Sequence, residues 1–473
     1  MNVERALDAS VHPDLALLMQ PRRRAICCLV IEKAQEEQLA ALRTLAPFHV
    51  YRQNGLCAML FDDTDQRFPV RTKKILTAQH LCAGLSGPFA LAASARGCMT
   101  KARIALATGR AEAPEKVLYP MDVYGEEALL LASREALAAS GFSCRDFCDA
   151  SIEEMERVDA REGTQYAESL RAYLACALNL RQAAQQLGIH RNTLAYRMKR
   201  IEERFALNLE DMNTCFELLF AFWLMDHLPE APSAKPAEAF DALKAQARLW
   251  RCVERAGSSA PETLAFSAVL LCVGAGGLND GERSQLMLAL CGLPGGSACA
   301  YDDDALFFAL RPEDAPAFLE ACKPLCRTMR CPIVVTQAFD ASRLGQKVRL
   351  CRFALRAVSA SVTRMQEIGS TLFFMALERR MSLSPYLCED VIRVMDDDAT
   401  KGAALARALY AYLLNFRDLK KAAQQLGMHR NTMEYQLKKI EQLIGETPGK
   451  KKRFMMMCTY KMLALPDTGL FDL

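Results

Sequence analysis

Eleven residues, AAQQLGIHRNT at 183–193, recur as AAQQLGMHRNT at 422–432 with one change, Ile189 to Met428. Sliding the chain on itself by 239 positions aligns Leu170–Glu203 with Leu409–Gln442 without a gap, and 19 of those 34 positions are identical. The likeness extends outward. CDASIEEMERVDAREG precedes the first copy and CEDVIRVMDDDATKG the second; CFELLFAFWLM follows one and RFMMMCTYKML the other. A chain repeated at this period must build the same local structure twice. Its 473 residues are too many for one ordinary core, so two tandem halves, near 1–228 and 240–473, are the natural reading. Between them lies HLPEAPSAKPAEAF (227–240), whose prolines and alanines mark a linker.

The front of each half carries short apolar runs closed by charges. RAICCLVIEKA and GLCAMLFDD play this part first, then LAFSAVLLCVGAG and ACAYDDDALFFAL. Runs of this length suit buried strands. GPFALAASARGCMTKARIALATGR and QAFDASRLGQKVRLCRFALRAVSA follow, each reading as a strand end, a turn and a helix. The expected architecture is therefore α+β and mainly helical overall. It comprises an α+β domain at 1–115, a helical block with the first repeated motif at 116–228, and a linker at 229–260. A second α+β domain at 261–362 and a second helical block with its motif at 363–473 complete it.

Within the motif, Leu180, Ala183, Ala184 and Leu187 fall at i, i+3, i+4 and i+7, one face of a short helix. Gly188 ends it and Ile189 plugs the turn. Leu194, Met198 and Ile201 then mark a second helix. The pattern is a helix-turn-helix. The opposite face of the second helix carries Arg191, Asn192, Tyr196, Arg197, Lys199 and Arg200. Arginine and asparagine read guanine and adenine edges bidentately in the major groove, and further cations suit phosphates. His190 and Asn192 stand at the helix N-terminus, where backbone N–H groups can meet a phosphate.

The pattern YL-x5-L-x2-AA-x2-LG-x-HRNT-x2-Y-R-x3-IE resembles the C-terminal helix-turn-helix of PucR-type transcriptional regulators, Fis-like in its core. The front of each half resembles, less specifically, the degenerate GGDEF-like domain that precedes it in the PucR and CdaR group. The resemblance implies a sequence-specific DNA-binding regulator that reads double-stranded DNA through His190, Arg191, Asn192, Thr193, Tyr196 and Arg197, with Lys199 and Arg200 beside them. In the second copy the matching set is His429, Arg430, Asn431, Thr432 and Tyr435, with Lys438 and Lys439. There Gln436 replaces Arg197 and Glu434 replaces Ala195. Fifteen residues from the histidine hold five Arg/Lys in the first copy and three in the second. The second head is accordingly expected to bind more weakly or to read another half-site. Lys450, Lys451, Lys452 and Arg453 oppose the dipole of the helix they open, which makes them candidate phosphate contacts. Members of the family usually carry one such unit and a separate sensory domain; the two halves here account for the whole chain.

Other classes find less support. A net charge of +3 excludes a polycation, so a nucleic-acid surface must be local. No secretion signal or membrane-length apolar run appears, which points to the cytoplasm. The nineteen cysteines show no CxxC; Cys144/Cys148 and Cys322/Cys326 come nearest, each at i,i+4, and no histidine lies close by. They are expected to be reduced, packed thiols rather than metal ligands, a redox-sensing pair being the other reading. GAGGLNDGE (274–282) lacks the P-loop pattern, and no catalytic motif stands in a supporting context, so neither catalysis nor a cofactor is expected. Two alternatives to a DNA-binding pseudo-dimer remain: a ligand-sensing or protein-interaction regulator that has lost DNA binding, and a degenerate nucleotide-binding enzyme. A small-molecule effector and a homodimer are the further partners considered.

Overall fold

The computed structural model describes residues 26–228 and 267–465, apart from 46, 48, 54, 63–67, 88–94, 295–298, 302–303, 341–342, 359–361, 403 and 446–448. The expected linker at 229–260 lies outside the described residues.

The first sheet domain is built from β1 (Ile26–Glu32), α1 (Glu36–Arg43), β2 (His49–Gln53), β3 (Leu56–Asp62), α2 (Phe68–Ala78), β4 (Ala83–Leu85), α3 (Ala95–Glu112) and β5 (Leu118–Pro120). The strand order is β2-β3-β1-β4-β5, antiparallel except for the β4–β5 pair. β1 is a continuous apolar run because both of its faces are covered. Cys27, Leu29 and Ile31 pack with Leu39 and Leu42 of α1 and Phe68 and Leu76 of α2. Cys28 and Val30 pack with Cys98, Met99, Ala102 and Leu106 of α3.

The long helix α4 (Met121–Ser140) leads to a helical block: α5 (Ala150–Glu162), α6 (Tyr166–Ala175), α7 (Leu180–Gln186), α8 (Arg191–Phe205) and α9 (Met212–His227). The second sheet domain then follows as β6 (Ser267–Gly274), α10 (Asp280–Cys291), β7 (Cys299–Tyr301), β8 (Ala305–Leu310), α11 (Ala315–Thr328), β9 (Ile333–Val335), β10 (Phe339–Asp340), α12 (Leu344–Ala354) and β11 (Val362–Arg364). Its order, β7-β8-β6-β9-β11 with β10 added beside β6, repeats the first sheet strand for strand. A small contact repeats with it. Cys28 N donates to Ser86 Oγ beyond β4, and Leu270 N donates to Thr336 Oγ1 beyond β9, both at 2.9 Å. The second helical block comprises α13 (Gly369–Glu378), α14 (Glu389–Lys401), α15 (Leu405–Leu414), α16 (Leu419–Gln425), α17 (Arg430–Ile444) and α18 (Lys450–Leu463). The chain is thus α+β and mainly helical, in two tandem halves.

The halves repeat in sequence and topology, but the compact units combine elements of both. Among the described residues, one unit joins those up to 135 to 381–462; the other joins those of 136–380 to 463–465. In the first unit, the sheet domain of the first half holds the helix-turn-helix block of the second. Lys101 of α3 pairs with Glu389 at the head of α14, where both side chains are largely buried, and donates to the Leu387 carbonyl at 3.2 Å. In the second unit, the sheet domain of the second half holds the helix-turn-helix block of the first. Ala150 N donates to Gln337 Oε1 at 2.7 Å, and Gln337 Nε2 to Asp149 Oδ1 at 2.6 Å. Buried Glu217 of α9 accepts from Ser370 N at 2.8 Å and Ser370 Oγ at 2.6 Å. Glu217 stands inside the apolar CFELLFAFWLM, and a buried carboxylate there needs these donors.

Candidate nucleic-acid interface

The turn before each motif is set by an unusual backbone. Ala177 and Leu178 both have positive φ, and so do Phe416 and Arg417 at the same offset. Such conformations cost side-chain-bearing residues energy and persist only where the surroundings impose them. The chain then enters α7 through Asn179, whose side chain accepts from Arg181 N and Gln182 N at 3.1 Å. Asp418 does the same for Lys420 N at 2.9 Å and Lys421 N at 3.0 Å. Asn and Asp satisfy the free donors of a helix start.

Gly188 and Gly427, with φ of +66° and +63°, end the first helix of each motif in the left-handed region that glycine favours. The small buried pairs Ala183/Ala184 and Ala422/Ala423 let the next helix approach closely. Leu194, Met198 and Ile201 of α8, and Met433 and Ile440 of α17, fill that contact. His190 and His429 are the N-caps of these second helices: Nδ1 of each accepts the N–H two residues on, at 3.2 Å. Their place in the motif is thereby a structural one, holding the first turn of the helix. Two aspartates that the sequence reading passed over lock each motif to the preceding helix. Asp159 accepts from Tyr166 N and Ala167 N at 2.8 and 2.9 Å; Asp398 accepts from Leu405 N and Ala406 N at 2.8 and 2.7 Å. Their recurrence at the 239-residue offset was the available signal.

With the scaffold fixed, Arg191, Asn192 and Thr193 are all exposed on the first turn of α8, as are Arg430, Asn431 and Thr432 on α17. Tyr196 and Tyr435 stand out one turn later, 64% and 58% exposed. Lys199, Arg200, Lys438 and Lys439 are exposed beyond them. Arg200 and Lys199 lie 3.3 and 3.8 Å from Glu203, Lys438 lies 3.4 Å from Glu434, and Lys439 stands 4.6 Å over the Tyr435 ring. Surface pairs of this kind are weak, so these cations can exchange a carboxylate for a phosphate at small cost.

Two expected groups are placed differently. Arg197 turns back onto α6, donating to Ser169 Oγ at 2.9 Å and Gln165 Oε1 at 3.0 Å. At the offset of 239 those two partners become Ala408 and Ala404, so Gln436 replaces Arg197 together with the residues that Arg197 grips. The difference between the copies at this position is one of internal packing, not of the outward face. In the lysine run, Lys451 pairs with Glu126 and Glu127 at 3.5 and 3.0 Å, and Lys452 with buried Asp390 at 2.6 Å. Arg453 is half-buried, and burial, with Arg417 nearby, lowers its pKa. The cations at the start of α18, which oppose the helix dipole, are thus tolerated there because protein carboxylates neutralise two of them. Lys450 remains exposed. Exposed cations also stand at the head of the first helix of each motif, Arg181 in α7 and Lys420 and Lys421 in α16, outside the residues singled out from sequence. The change of RQ to KK there was legible and sets extra charge on the second copy.

Every cysteine whose side chain is described is free, and all of these but Cys82, Cys148, Cys291 and Cys388 are buried. No described group of three His, Cys, Asp or Glu side chains is placed to hold a metal, and no described helix is long and apolar enough to cross a membrane.

Two short helices joined by a glycine turn, with an outward Arg-Asn-Thr on the second, define a helix-turn-helix unit, and this chain has two. The family model of the PucR C-terminal helix-turn-helix domain matches residues 166–224 and 405–456, so that domain is found twice in the chain. Among solved structures, a regulator of polyketide synthase expression from Bifidobacterium adolescentis matches at 13% identity and a TM-score of 0.22, over 49% of this chain and 94% of that one. No curated protein matches.

Proposed function

We propose that the protein is a sequence-specific DNA-binding transcriptional regulator whose two helix-turn-helix units read one operator as a pseudo-dimer. The observation that carries this reading is the duplicated exposure of Arg191, Asn192 and Thr193 and of Arg430, Asn431 and Thr432 on identically built helix starts. Packing does not require these residues, yet both copies keep them. Arg191 and Asn192, with their counterparts, contact base edges; Thr193, Tyr196, Lys199 and Arg200, with Thr432, Tyr435, Lys438 and Lys439, flank the backbone. Arg181, Lys420 and Lys421 meet phosphates from the first helix, which crosses the DNA backbone in motifs of this type. His190 and His429 support the readers as caps. Paired helix-turn-helix units engage half-sites about one DNA turn, roughly 34 Å, apart.

Selection of bound duplexes from a random pool tests this. A site with two half-sites spaced by one turn or a multiple is expected, with Arg191→Ala and Arg430→Ala each relaxing one half-site. Recovery of no enriched sequence, or an unchanged site in the double variant, refutes it.

A further inference from the structure

A cavity of about 510 Å³ opens within the second unit, walled by the last turns of α12 and α13 and by the loop after α4. Five arginines line it: Arg349, Arg352, Arg356, Arg379 and Arg380. No aspartate or glutamate stands among the described lining residues. Concentrated like charge of this kind raises the potential inside a concave site and draws anions to it.

Two of the guanidinium groups, those of Arg349 and Arg379, are held against aromatic rings. Arg349 stacks 5.0 Å over the Phe142 ring and donates to the Gly141 carbonyl at 2.6 Å, while its Nε is buried without a hydrogen-bond partner. Arg379 stacks 5.3 Å over Phe353. Phe142 and Phe353 touch each other at 5.3 Å, so one aromatic floor carries both cations. Stacking holds a guanidinium plane while leaving donors at its edge for an anion.

The geometry points to a binding site for a small polyanion bearing phosphate groups. The volume suits a molecule of metabolite size, and guanidinium groups gathered along one cavity match the several oxygens of a phosphate better than a single carboxylate. A DNA strand is the other polyanion available, but it requires a ridge or an open groove that follows the backbone. The aromatic floor also gives the site an internal connection. Phe142 packs on Phe147 at 5.5 Å, Phe147 on Phe373 at 5.7 Å, and Phe373 on Phe220 of α9 at 5.4 Å. A ligand that orders this floor therefore braces the closing helix of the first helix-turn-helix block.

The test uses the full chain and inorganic pyrophosphate as the probe, with citrate as a polyanion lacking phosphate and a short random duplex as competitor. Calorimetric titration is expected to show saturable pyrophosphate binding at one site per chain, stronger than citrate, and a rise in melting temperature. Arg356→Gln and Arg380→Gln should each weaken it about tenfold while leaving the melting temperature without probe unchanged. Arg191→Ala should leave it unchanged. Absence of saturable binding overturns the proposal. So does equal affinity for pyrophosphate and citrate, or displacement by the duplex that tracks the loss of duplex binding in Arg191→Ala. Should either glutamine variant fail to fold, protection of Arg349 and Arg379 from phenylglyoxal by pyrophosphate decides the matter in the native chain, and unchanged labelling counts against the site.

Discussion

Arg197→Gln makes the first copy like the second at the position where they differ most plainly in charge. If Arg197 reads a base, the change alters operator affinity and leaves the fold alone. The structure assigns it the opposite behaviour, because its guanidinium binds Ser169 Oγ and Gln165 Oε1 and ties α8 to α6. Charge-assisted hydrogen bonds contribute roughly 1.5–3 kcal/mol when buried. Arg197 is only half-buried, so a loss of about 1–2 kcal/mol for both bonds together is the reasoned magnitude. For a compact unit of this size that lowers the melting temperature by roughly 2–8 °C. The triple variant Arg197→Gln, Ser169→Ala, Gln165→Ala reproduces the second copy's combination and removes the orphaned partners; it should recover about half of that loss or more. Operator affinity, measured by fluorescence anisotropy at fixed salt, should fall less than about threefold in Arg197→Gln, against tenfold or more in Arg191→Gln. A tenfold loss in Arg197→Gln at unchanged melting temperature would refute the reasoning and return Arg197 to the reading face.

Further outcomes follow from other contacts. Lys452→Met breaks the pair with buried Asp390, so thermal denaturation should show destabilisation while the salt slope of DNA binding stays unchanged; a slope smaller by about one unit would restore this lysine as a phosphate contact. Glu162 is gripped at 2.6 Å by both terminal nitrogens of Arg204, and that bond with the help of Arg161 holds its pKa at about 2. A carboxylate with a depressed folded pKa adds stability above its ordinary pKa of about 4.5, and the contribution is lost as the pH falls towards 2. Denaturant titrations over this range should show that loss in the native chain, flattened in Arg204→Gln. Burial pushes the thiols of Cys322, Cys326 and Cys351 up to about 12. Alkylation at pH 8 followed by mass spectrometry should therefore spare these three and begin at the less buried Cys82 and Cys291; early labelling of Cys351 would contradict the packing.

Local chemistry was legible in the residues. The i, i+3, i+4, i+7 spacing at Leu180–Leu187 and the glycine after it produced α7 and its stop, and the apolar runs became β1, β3, β6 and β8 with both faces covered. Each of these depends on periodicity and backbone preference within about ten residues, which the chain carries along its length. The direction of a long side chain does not. Arg197 sits at an outward spacing on the helix, yet Ser169 and Gln165, some thirty residues earlier, decide where its charge goes. Lys451 and Lys452 likewise looked available until Glu126, Glu127 and Asp390 were brought to them.

The sequence by itself determined that one structure would be made twice, because identical local patterns impose identical helices, caps and turns. Only the tertiary structure decided which copies would pack together. The first sheet domain takes the second helix-turn-helix block through Lys101 and Glu389; the second sheet domain takes the first block through Gln337 and Asp149, and α13 joins that unit through Ser370 and Glu217. Two similar halves offer similar docking faces, and order along the chain does not distinguish them. Polar partners at these contacts, with Lys101, Asp149, Glu217 and Ser370 buried, lose free energy if left unpaired.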